Sequence, residues 1–595
     1  MGIALTTLRK FHGGVHPPEH KNLSEYCAIE ELPMPKQLYV PLHQHIGAPC
    51  APCVSAGEKV LKGTVIGQAQ GFVSAPVHAP TSGTVIGIKE HASGHPSGLT
   101  MLCVEIEPDG EDRWREDLEG ITLPMRAEPA AIRDKIRDAG IVGLGGASFP
   151  SFIKMSPPKD KEVELLVING VECEPYLTCD ARLMEERGRE ICAGIEIMLH
   201  ALQTKRCVIG IEENKPGAIR AMRKVAADYP TITVTPLPVM YPQGSEKQLI
   251  EVLTGRQVPS GKLPIDVGVI CHNVATAVAI RDAVKLGRPL VSRLVTVTGK
   301  GIERTANLEV LMGTPIQHLV DHCGGLKKTV KKLVMGGPMM GVTLTNLDVP
   351  VVKGTSGLLA MTAEETVDKP EGPCIRCGHC LQACPISLIP CEMSWLAKHE
   401  ELDQLQEYDV FDCIECGSCA YVCPSNIPLV HYFRFGKLSI HAQKREDERR
   451  ELTKRRTQAK EERVAKEKAA KERKKAEMKA KAAARKAAAA TAESAKPAEE
   501  APATPAAAAP ATADSTTSAD PDKAAKVVRA AKAAQAAKAA QAAKAARSVK
   551  STKEPGGGTS SDPDQAAKAA RAAKAAKAAK AARAAKAAKA AKAAK

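Results

Sequence analysis

The sequence predicts a multidomain protein of mixed α/β and α+β class, and three observations support this prediction. The chain has 595 residues, whereas one hydrophobic core rarely exceeds about 250–300 residues. Its pattern changes along the chain, from short strands interrupted by glycines to alternating strands and helices. Eight of its 19 cysteines then form two identical spacings, which are typical of a metal-binding module and not of a secreted disulfide framework.

The first predicted domain spans residues 1–125 and consists mainly of strands. Between about Pro33 and Glu107, apolar and polar residues alternate in short runs that glycines interrupt. This pattern predicts a small β domain. The segment SAPVHAPTSGTVIGI resembles the sandwich-hybrid fold of biotinyl and lipoyl domains. The Met-Lys pair that carries the cofactor in those domains does not occur here, so we expect a structural or docking role.

Residues 126–288 are predicted to form an α/β domain. A helical pattern, AAIRDKIRDAG, precedes the glycine-rich loop GLGGAS, in which backbone amides could line a phosphate. A buried strand then runs into Glu172 and Glu174. Open α/β sheets place their ligand contacts at this edge, where the strands end. A tight turn and a pair of surface carboxylates would explain the same residues without a ligand.

Two cysteine motifs define a predicted ferredoxin-like domain at residues 365–435. Each motif reads C-x2-C-x2-C-x3-C-P, the spacing of bacterial two-cluster ferredoxins. In this arrangement three cysteines of one motif surround one [4Fe–4S] cluster, and the fourth reaches the other cluster. We therefore predict one ligand set of Cys374, Cys377, Cys380 and Cys423, and a second set of Cys384, Cys413, Cys416 and Cys419. Zinc sites or disulfides would not require this repeated spacing with a trailing proline.

Three segments of the α/β domain resemble the flavin-binding subunit of respiratory NADH dehydrogenase: GLGGASFPSFIK, NGVECEPYLTCDAR and HNVAT. The resemblance implies a Rossmann-like domain that binds FMN and uses NADH as substrate. The implied catalytic residues are Lys154, Glu172 and Glu174. The implied cofactor-binding residues are Gly143, Gly145, Gly146, Lys154, Asn169, Glu246, Asn273 and Thr276. The sequence departs from the family pattern at Ser148, Val171 and Ala275, where a glycine, an aspartate and an acidic residue are usual.

The order of the domains, with a β-grasp-like module predicted at residues 289–345, resembles the C subunits of Rnf/Rsx-type ion-translocating electron-transport complexes. The segments KFHGGVHPPEHK and YPQGSEKQLI also fit that family. The resemblance implies a peripheral subunit at the cytoplasmic face of the cell inner membrane. Such a subunit would take electrons from NADH through FMN and pass them via two [4Fe–4S] clusters to integral-membrane and other electron-transfer subunits, coupled to cation translocation.

Two other hypotheses remain open at this level. The chain could be a soluble flavin and iron–sulfur NADH diaphorase subunit. It could also be a non-enzymatic electron-relay or assembly subunit with an empty nucleotide site, which the serine at position 148 motivates.

Residues 441–595 are predicted to form a basic Ala/Lys-rich tail, helical or disordered. The formal net charge of the chain is +15, but the basic excess begins near Lys444 and the part before it is mildly acidic. Basic residues recur every third position in much of the tail, so their charge spirals around a helix without an apolar stripe. We expect an anionic membrane surface as a candidate partner of the tail, and no nucleic acid. The sequence predicts neither a signal peptide nor a transmembrane helix.

Overall fold

The computed structural model describes residues 8–95, 98–366 and 369–492. Most of the predicted tail, from residue 493 onward, therefore lies outside the described residues. The described part contains four β-sheets and a helical C-terminal module. One of the sheets is parallel and packs with helices. The predicted mixed multidomain class is confirmed. In this part of the chain, no helix has the length and apolar character needed to cross a membrane.

The N-terminal module is built from short antiparallel strands. The strands in this part of the chain are Ile29–Glu31 (β1), Leu38–Pro41 (β2), Ala51–Pro52 (β3), Lys59–Val60 (β4), Val65–Gln68 (β5), Val77–His78 (β6), Gly83–Ala92 (β7) and Thr100–Pro108 (β8). Two sheets form, with orders β2-β8-β7-β4 and β3-β5-β6. Their apolar side chains share one core that includes Leu38, Val40 and Ile106. The strand pattern of the sequence is thus confirmed, because alternation places every second side chain in this core.

The α/β module has a four-stranded parallel sheet. Its strands are Leu165–Asn169 (β9), Cys207–Glu212 (β10), Ile232–Leu237 (β11) and Val269–Asn273 (β12). Its helices are Pro129–Asp138 (α1), Ser151–Lys154 (α2), Cys179–Glu186 (α3), Gly188–Leu202 (α4), Pro216–Ala226 (α5), Glu246–Thr254 (α6) and Val274–Leu286 (α7). The order β11-β10-β9-β12 pairs Asn169 with Asn273 at the carboxyl edge. The strands β9, β10 and β12 are almost wholly buried, because apolar clusters cover both faces of the sheet, whereas the edge strand β11 is partly exposed.

A six-stranded mixed sheet follows. It adds the strands Ser292–Thr298 (β13), Ala306–Leu311 (β14), Val330–Met335 (β15), Val342–Leu344 (β16) and Gly357–Thr362 (β17), together with the helix Ile316–His322 (α8). The order is β1-β14-β13-β17-β15-β16. The sheet therefore includes β1 and β17, which lie outside the predicted range 289–345. The pairing of β1 and β17 with strands far away in the chain could not be predicted, because such pairing leaves no local pattern in the sequence.

The C-terminal module is helical. Its elements are His379–Ala383 (α9), Pro390–Lys398 (α10), Leu402–Glu407 (α11), Ser418–Tyr421 (α12) and Leu429–Ala492 (α13). The segment between the two cysteine motifs forms α10 and α11, which pack on the start of α13 through Met393, Leu405 and Phe433. Beyond that contact, α13 is exposed on all sides, as its charged, Ala-rich sequence predicts.

One buried lysine joins three modules. The ammonium group of Lys353, which is 1% exposed, donates to the carbonyls of Pro76 (3.1 Å) in the N-terminal module and Gly140 (2.8 Å) in the α/β module. Its backbone N–H donates to the side chain of Gln44, and its carbonyl accepts from Arg293. No carboxylate contacts the Lys353 ammonium among the described residues. Burial accordingly lowers the pKa of Lys353 to about 8.

The substitution Lys353→Met should flatten the alkaline pH dependence of stability. The unfolded chain binds this proton more tightly than the folded chain between pH 8 and the ordinary lysine value of 10.5. The free energy of unfolding therefore rises with pH across this window, by at most about 1.4 kcal/mol per pH unit for one proton. Thermal unfolding midpoints of wild type and variant between pH 7 and 10 measure the difference. The matched substitution of an exposed lysine, Lys59→Met, should leave the pH profile unchanged, and parallel profiles for Lys353→Met would contradict the prediction.

Candidate functional site

Four cysteines line one cavity in the C-terminal module. Three of them, Cys413, Cys416 and Cys419, come from the second motif, and Cys384 comes from the first. Apolar side chains of α13 and of the segment after Cys384 complete the wall. The cavity thus groups the four residues that the spacing predicts for the second cluster.

The two motifs have the same backbone conformation. Arg376 and Glu415, at equivalent positions, have φ values of 55° and 56°. Gly378 and Gly417 follow with φ values of 80° and 82°, after which the short helices α9 and α12 begin. In the second motif, the three cysteines on either side of these left-handed residues all line the cavity. Gly378 and Gly417 adopt a positive φ without steric cost, because glycine has no Cβ atom.

The buried thiols of this cavity fit an iron–sulfur cluster chemically. Burial raises the pKa of Cys413 to about 11, and it raises the pKa of Cys419 further. A thiolate here therefore requires a positive charge, which bound iron supplies as it displaces the protons. Two backbone N–H groups already point at ligand sulfurs: Leu388 donates to Cys384 Sγ and Glu415 donates to Cys413 Sγ, each at 3.4 Å.

The first ligand set lies nearer to the surface. Cys374 and Cys377 are exposed, whereas Cys380 and Cys423 are half-buried. The latter two pack against the same apolar cluster, although they belong to different motifs. The same cluster also contains Cys413 and Cys419 of the second set, so the predicted exchange of fourth ligands stays a prediction for the first set.

The glycine-rich loop forms an exposed turn at the carboxyl edge of the parallel sheet. Gly145, Gly146 and Ala147 are exposed, and their N–H groups have no acceptor among the described residues. A Cβ atom on Gly145 would lie 2.9 Å from Cβ of Asn273, so this glycine permits close packing on α7. A Cβ on Gly146 would have no neighbour within 4 Å. Free amides beside open space can hold a phosphate, so the loop fits the predicted cofactor.

Other residues hold this turn in place. The Leu144 N–H donates to Thr276 Oγ1 at 3.0 Å, and the Gly143 N–H donates to the Phe149 carbonyl at 2.8 Å. Ser148 adopts a left-handed φ of 49°, the conformation that a glycine would adopt freely. Its side chain is buried, next to Gly354. The serine therefore leaves the exposed face of the turn open.

Lys154 is the cation nearest in sequence to the turn, at the end of α2. Its ammonium group forms an ion pair with Glu246, the first residue of α6, and donates to the Cys271 carbonyl at 3.1 Å. Burial favours the neutral amine, but the Glu246 carboxylate outweighs this effect and raises the pKa of Lys154. Lys154 is thus a cation at neutral pH, and its positive charge suits a phosphate.

The two asparagines at the ends of β9 and β12 are held by hydrogen bonds within the protein. Asn169 donates to the Gly244 carbonyl at 2.7 Å. Asn273 accepts from the Ala275 N–H at 2.8 Å, which caps α7, and donates to Asp180 at 2.6 Å. Their amide groups therefore fix the edge of the sheet, and contacts with a cofactor stay predicted.

Glu172 and Glu174 also have partners within the chain. Glu172 accepts from the N–H groups of Asp180 (2.7 Å) and Ala181 (3.3 Å) in the first turn of α3. Glu174 accepts from the N–H groups of Met339 (3.1 Å) and Met340 (2.8 Å). Burial raises the pKa of Glu174 to about 7 despite these donors. Both carboxylates thus anchor backbone segments, and their predicted catalytic role stays a prediction.

Three residues near this edge were not predicted from the sequence. The ammonium group of Lys21 binds the backbone of the loop after β9. Asp180 binds Asn273, and burial together with the neighbouring Glu172 carboxylate raises its pKa. Tyr241 donates its hydroxyl to the carbonyl of Cys416 at 2.6 Å. All three lie within the segments NGVECEPYLTCDAR, KFHGGVHPPEHK and YPQGSEKQLI, which resemble known families and could have directed attention to them. Their partners are distant in the chain, so the segments alone do not indicate these contacts.

These features define a class of multidomain flavin and iron–sulfur electron-transfer proteins, and domain families support this. The Nuo51 FMN-binding domain matches residues 136–282, and the 4Fe-4S dicluster domain matches residues 373–427. The RnfC barrel sandwich hybrid domain matches residues 9–111, and the SLBB domain matches residues 294–343. FMN and [4Fe–4S] clusters are accordingly the cofactors of this chain.

Relatives that match most of the chain define the family. The C subunit of the ion-translocating oxidoreductase complex of Rhodobacter capsulatus is 48% identical over 72% of this chain and 83% of its own length. The C subunit of the proton-translocating ferredoxin:NAD(+) oxidoreductase complex of Clostridium ljungdahlii is 45% identical over 72% of this chain and 94% of its own length. The chain therefore belongs to the family of C subunits of ion-translocating oxidoreductase complexes, and it is an electron-transfer oxidoreductase subunit.

The similarity to solved structures is weak. A NAD+-reducing [NiFe]-hydrogenase chain in the air-oxidized state is 21% identical over 47% of this chain and 54% of its own length. The TM-score is 0.37, which is too low to support an argument about fold or function.

The predicted ligand sets determine which cysteine-to-serine substitutions should affect the same cluster. Cys384→Ser should alter the same EPR signal of the reduced protein as Cys416→Ser, because both residues line one cavity. Cys423→Ser should instead alter the signal that Cys377→Ser alters. Iron content should fall by about half in each variant, since each cluster holds about four iron atoms. If Cys384→Ser grouped with Cys377→Ser, the exchange of ligands between motifs would be wrong.

Proposed function

We propose that this chain is a peripheral subunit that takes electrons from NADH through FMN and passes them via two [4Fe–4S] clusters to partner subunits. The segment from Tyr241 to Gln248 carries the proposal, because it contacts both candidate sites. Its Glu246 pairs with Lys154 beside the glycine-rich turn. Its Lys247 pairs with Asp412, next to the second cysteine motif, at 3.4 Å. The two sites are therefore built against one continuous segment.

The residues of the glycine-rich turn would hold the cofactor. The free N–H groups of Gly145 and Gly146 and the ammonium group of Lys154 would bind the phosphate of FMN. Asn169, Glu174 and Thr276 would shape the edge on which the ring system and NADH lie. FMN, when bound, supplies exchange between a two-electron donor and one-electron acceptors.

The second cluster would receive electrons from the flavin. Ala383 and Cys416, on both sides of its cavity, pack with Val15 and Tyr241 of the N-terminal segment and the α/β module. The first ligand set has its exposed cysteines at the surface. We assign that cluster to electron transfer with a partner protein, because an exposed cluster can come close to an external acceptor.

Membership of the family supports a proposal about the partners and the location. The names of the relatives describe a subunit of an ion-translocating complex, so the partners would be its integral-membrane and other electron-transfer subunits. The chain would lie at the cytoplasmic face of the inner membrane, coupling its electron transfer to cation translocation through those subunits. The basic tail would add attraction to anionic lipid, and nucleic acid is not a proposed partner.

The reconstituted full chain should contain FMN and about eight iron atoms, and it should reduce ferricyanide with NADH. Cofactor analysis and an absorbance assay measure these properties. Iron near eight atoms per chain without FMN and without NADH oxidation would overturn the proposed function and favour an electron-relay subunit with an empty site.

Removal of the ammonium group in Lys154→Met should weaken FMN binding by about tenfold to a hundredfold, the cost of about one charge-assisted hydrogen bond. Quenching of flavin fluorescence on titration of the flavin-free protein measures the affinity. Lys161→Met is the matched control, since Lys161 is similarly exposed and pairs with Asp266 outside the turn. Equal affinities of the two variants would contradict the role of Lys154, and iron content should stay unchanged in both.

A further inference from the structure

Two buried polar side chains of the α/β module bind backbone carbonyls beside the second cluster cavity. Tyr241, which is 2% exposed, donates to the carbonyl of Cys416 at 2.6 Å. Gln248, also 2% exposed, donates to the carbonyl of Pro385 at 3.3 Å, and its own side-chain oxygen has no partner among the described residues. Neither contact reaches a side chain of the C-terminal module. Both instead fix the orientation of a peptide group.

The direction of each peptide group matters because a trans peptide is planar, with its C=O and N–H pointing in opposite directions. The carbonyl of Cys416 shares its peptide with the N–H of Gly417. The carbonyl of Pro385 shares its peptide with the N–H of Ile386. Gly417 and Ile386 both line the cavity, and neither N–H has an acceptor among the described residues. Tyr241 and Gln248 bind the two carbonyls from outside the C-terminal module. We therefore expect the free N–H groups of Gly417 and Ile386 to point toward the cavity.

We propose that Tyr241 and Gln248 are positioning residues that raise the reduction potential of the second cluster, by holding the N–H groups of Gly417 and Ile386 toward its sulfur atoms. The inference rests on the ligand assignment of the proposed function. A reduced cluster carries more negative charge than an oxidised one, so N–H groups aimed at its sulfurs favour the reduced state. The α/β module thereby sets the electron affinity of the cluster that it contacts.

The first motif has no such support, although its spacing and backbone conformation are the same. In the described part of the chain, no side chain donates to the carbonyl of Cys377, which corresponds to Cys416, or to that of Pro424, which corresponds to Pro385. The second cluster also has the N–H donors of Leu388 and Glu415, which its own loops supply. From outside the C-terminal module, the Gly14 N–H also donates to the carbonyl of Ala383 at 3.1 Å. Tyr241 and Gln248 differ from it because they hold their peptides through side chains, which can be substituted.

The test uses the full chain with both clusters and compares Tyr241→Phe and Gln248→Met with wild type. Redox titration followed by EPR should show the midpoint potential of the second cluster shifted to a lower value in each variant, and further in the double variant. The potential of the first cluster, the iron content and the FMN content should not change. Tyr432→Phe is the matched control, because that hydroxyl binds Glu371 near the first motif, at 2.9 Å to one carboxylate oxygen. It should leave the second cluster at the wild-type potential.

Two outcomes would overturn the proposal. One is an unchanged potential of the second cluster in variants that retain full iron. The other is loss of iron with the remaining second clusters at the wild-type potential, which would assign both residues to assembly alone. Failure of the ligand assignment is separate, since the serine variants identify which EPR signal belongs to the cavity with Cys384. Reduction by NADH reports independently on the flavin site.

Discussion

The arrangement at the carboxyl edge of the parallel sheet depends most on the hydrogen bonds of one buried ammonium group, that of Lys21. Its nitrogen donates to the carbonyls of Glu172 (2.9 Å), Glu174 (3.0 Å) and Leu177 (2.6 Å). Burial, together with the nearby Lys215, lowers the pKa of Lys21. A buried charge is costly unless it is well solvated by dipoles, and three carbonyls supply that solvation. The loop after β9 thus has a single arrangement that satisfies the lysine.

That loop connects three modules. The Glu172 carboxylate accepts from the first turn of α3 within the α/β module. The Glu174 carboxylate binds the N–H groups of Met339 and Met340, which follow the strand β15 of the six-stranded sheet. A Cβ atom on Gly417 would lie 2.9 Å from the Met339 carbonyl, so this segment also touches the second cysteine motif closely. The sheet edge predicted to bind the flavin and the second cysteine motif are therefore both in contact with the same short stretch of backbone.

Much of the candidate site could be predicted from the sequence, but the partners of its residues could not. The glycine-rich turn and the cysteine motifs follow from local patterns, and Lys154 follows from the resemblance to the flavin-binding subunit. The structure places the turn at the sheet edge and the second predicted ligand set around one cavity. Asn273 and Glu172 illustrate the limit. Residues at strand ends can bind a ligand or cap the following helix with the same atoms, and here both cap helices. Lys21 and Gln248 lie within segments that fit the family, but the sequence did not indicate their contacts, because their partners lie more than a hundred residues away in the chain.

The sequence by itself determined the order of the modules, the strand and helix patterns and the cysteine spacing, because each depends on neighbours within a few residues. The tertiary structure alone decided that strand β17 lies between β13 and β15 and that Lys353 joins three modules. It also decided that the cavity in which Cys384 joins the second motif, a grouping that the spacing predicts, lies beside Tyr241 of the α/β module. The physical reason is that contacts between distant segments depend on how whole modules pack, which periodicity and spacing do not encode.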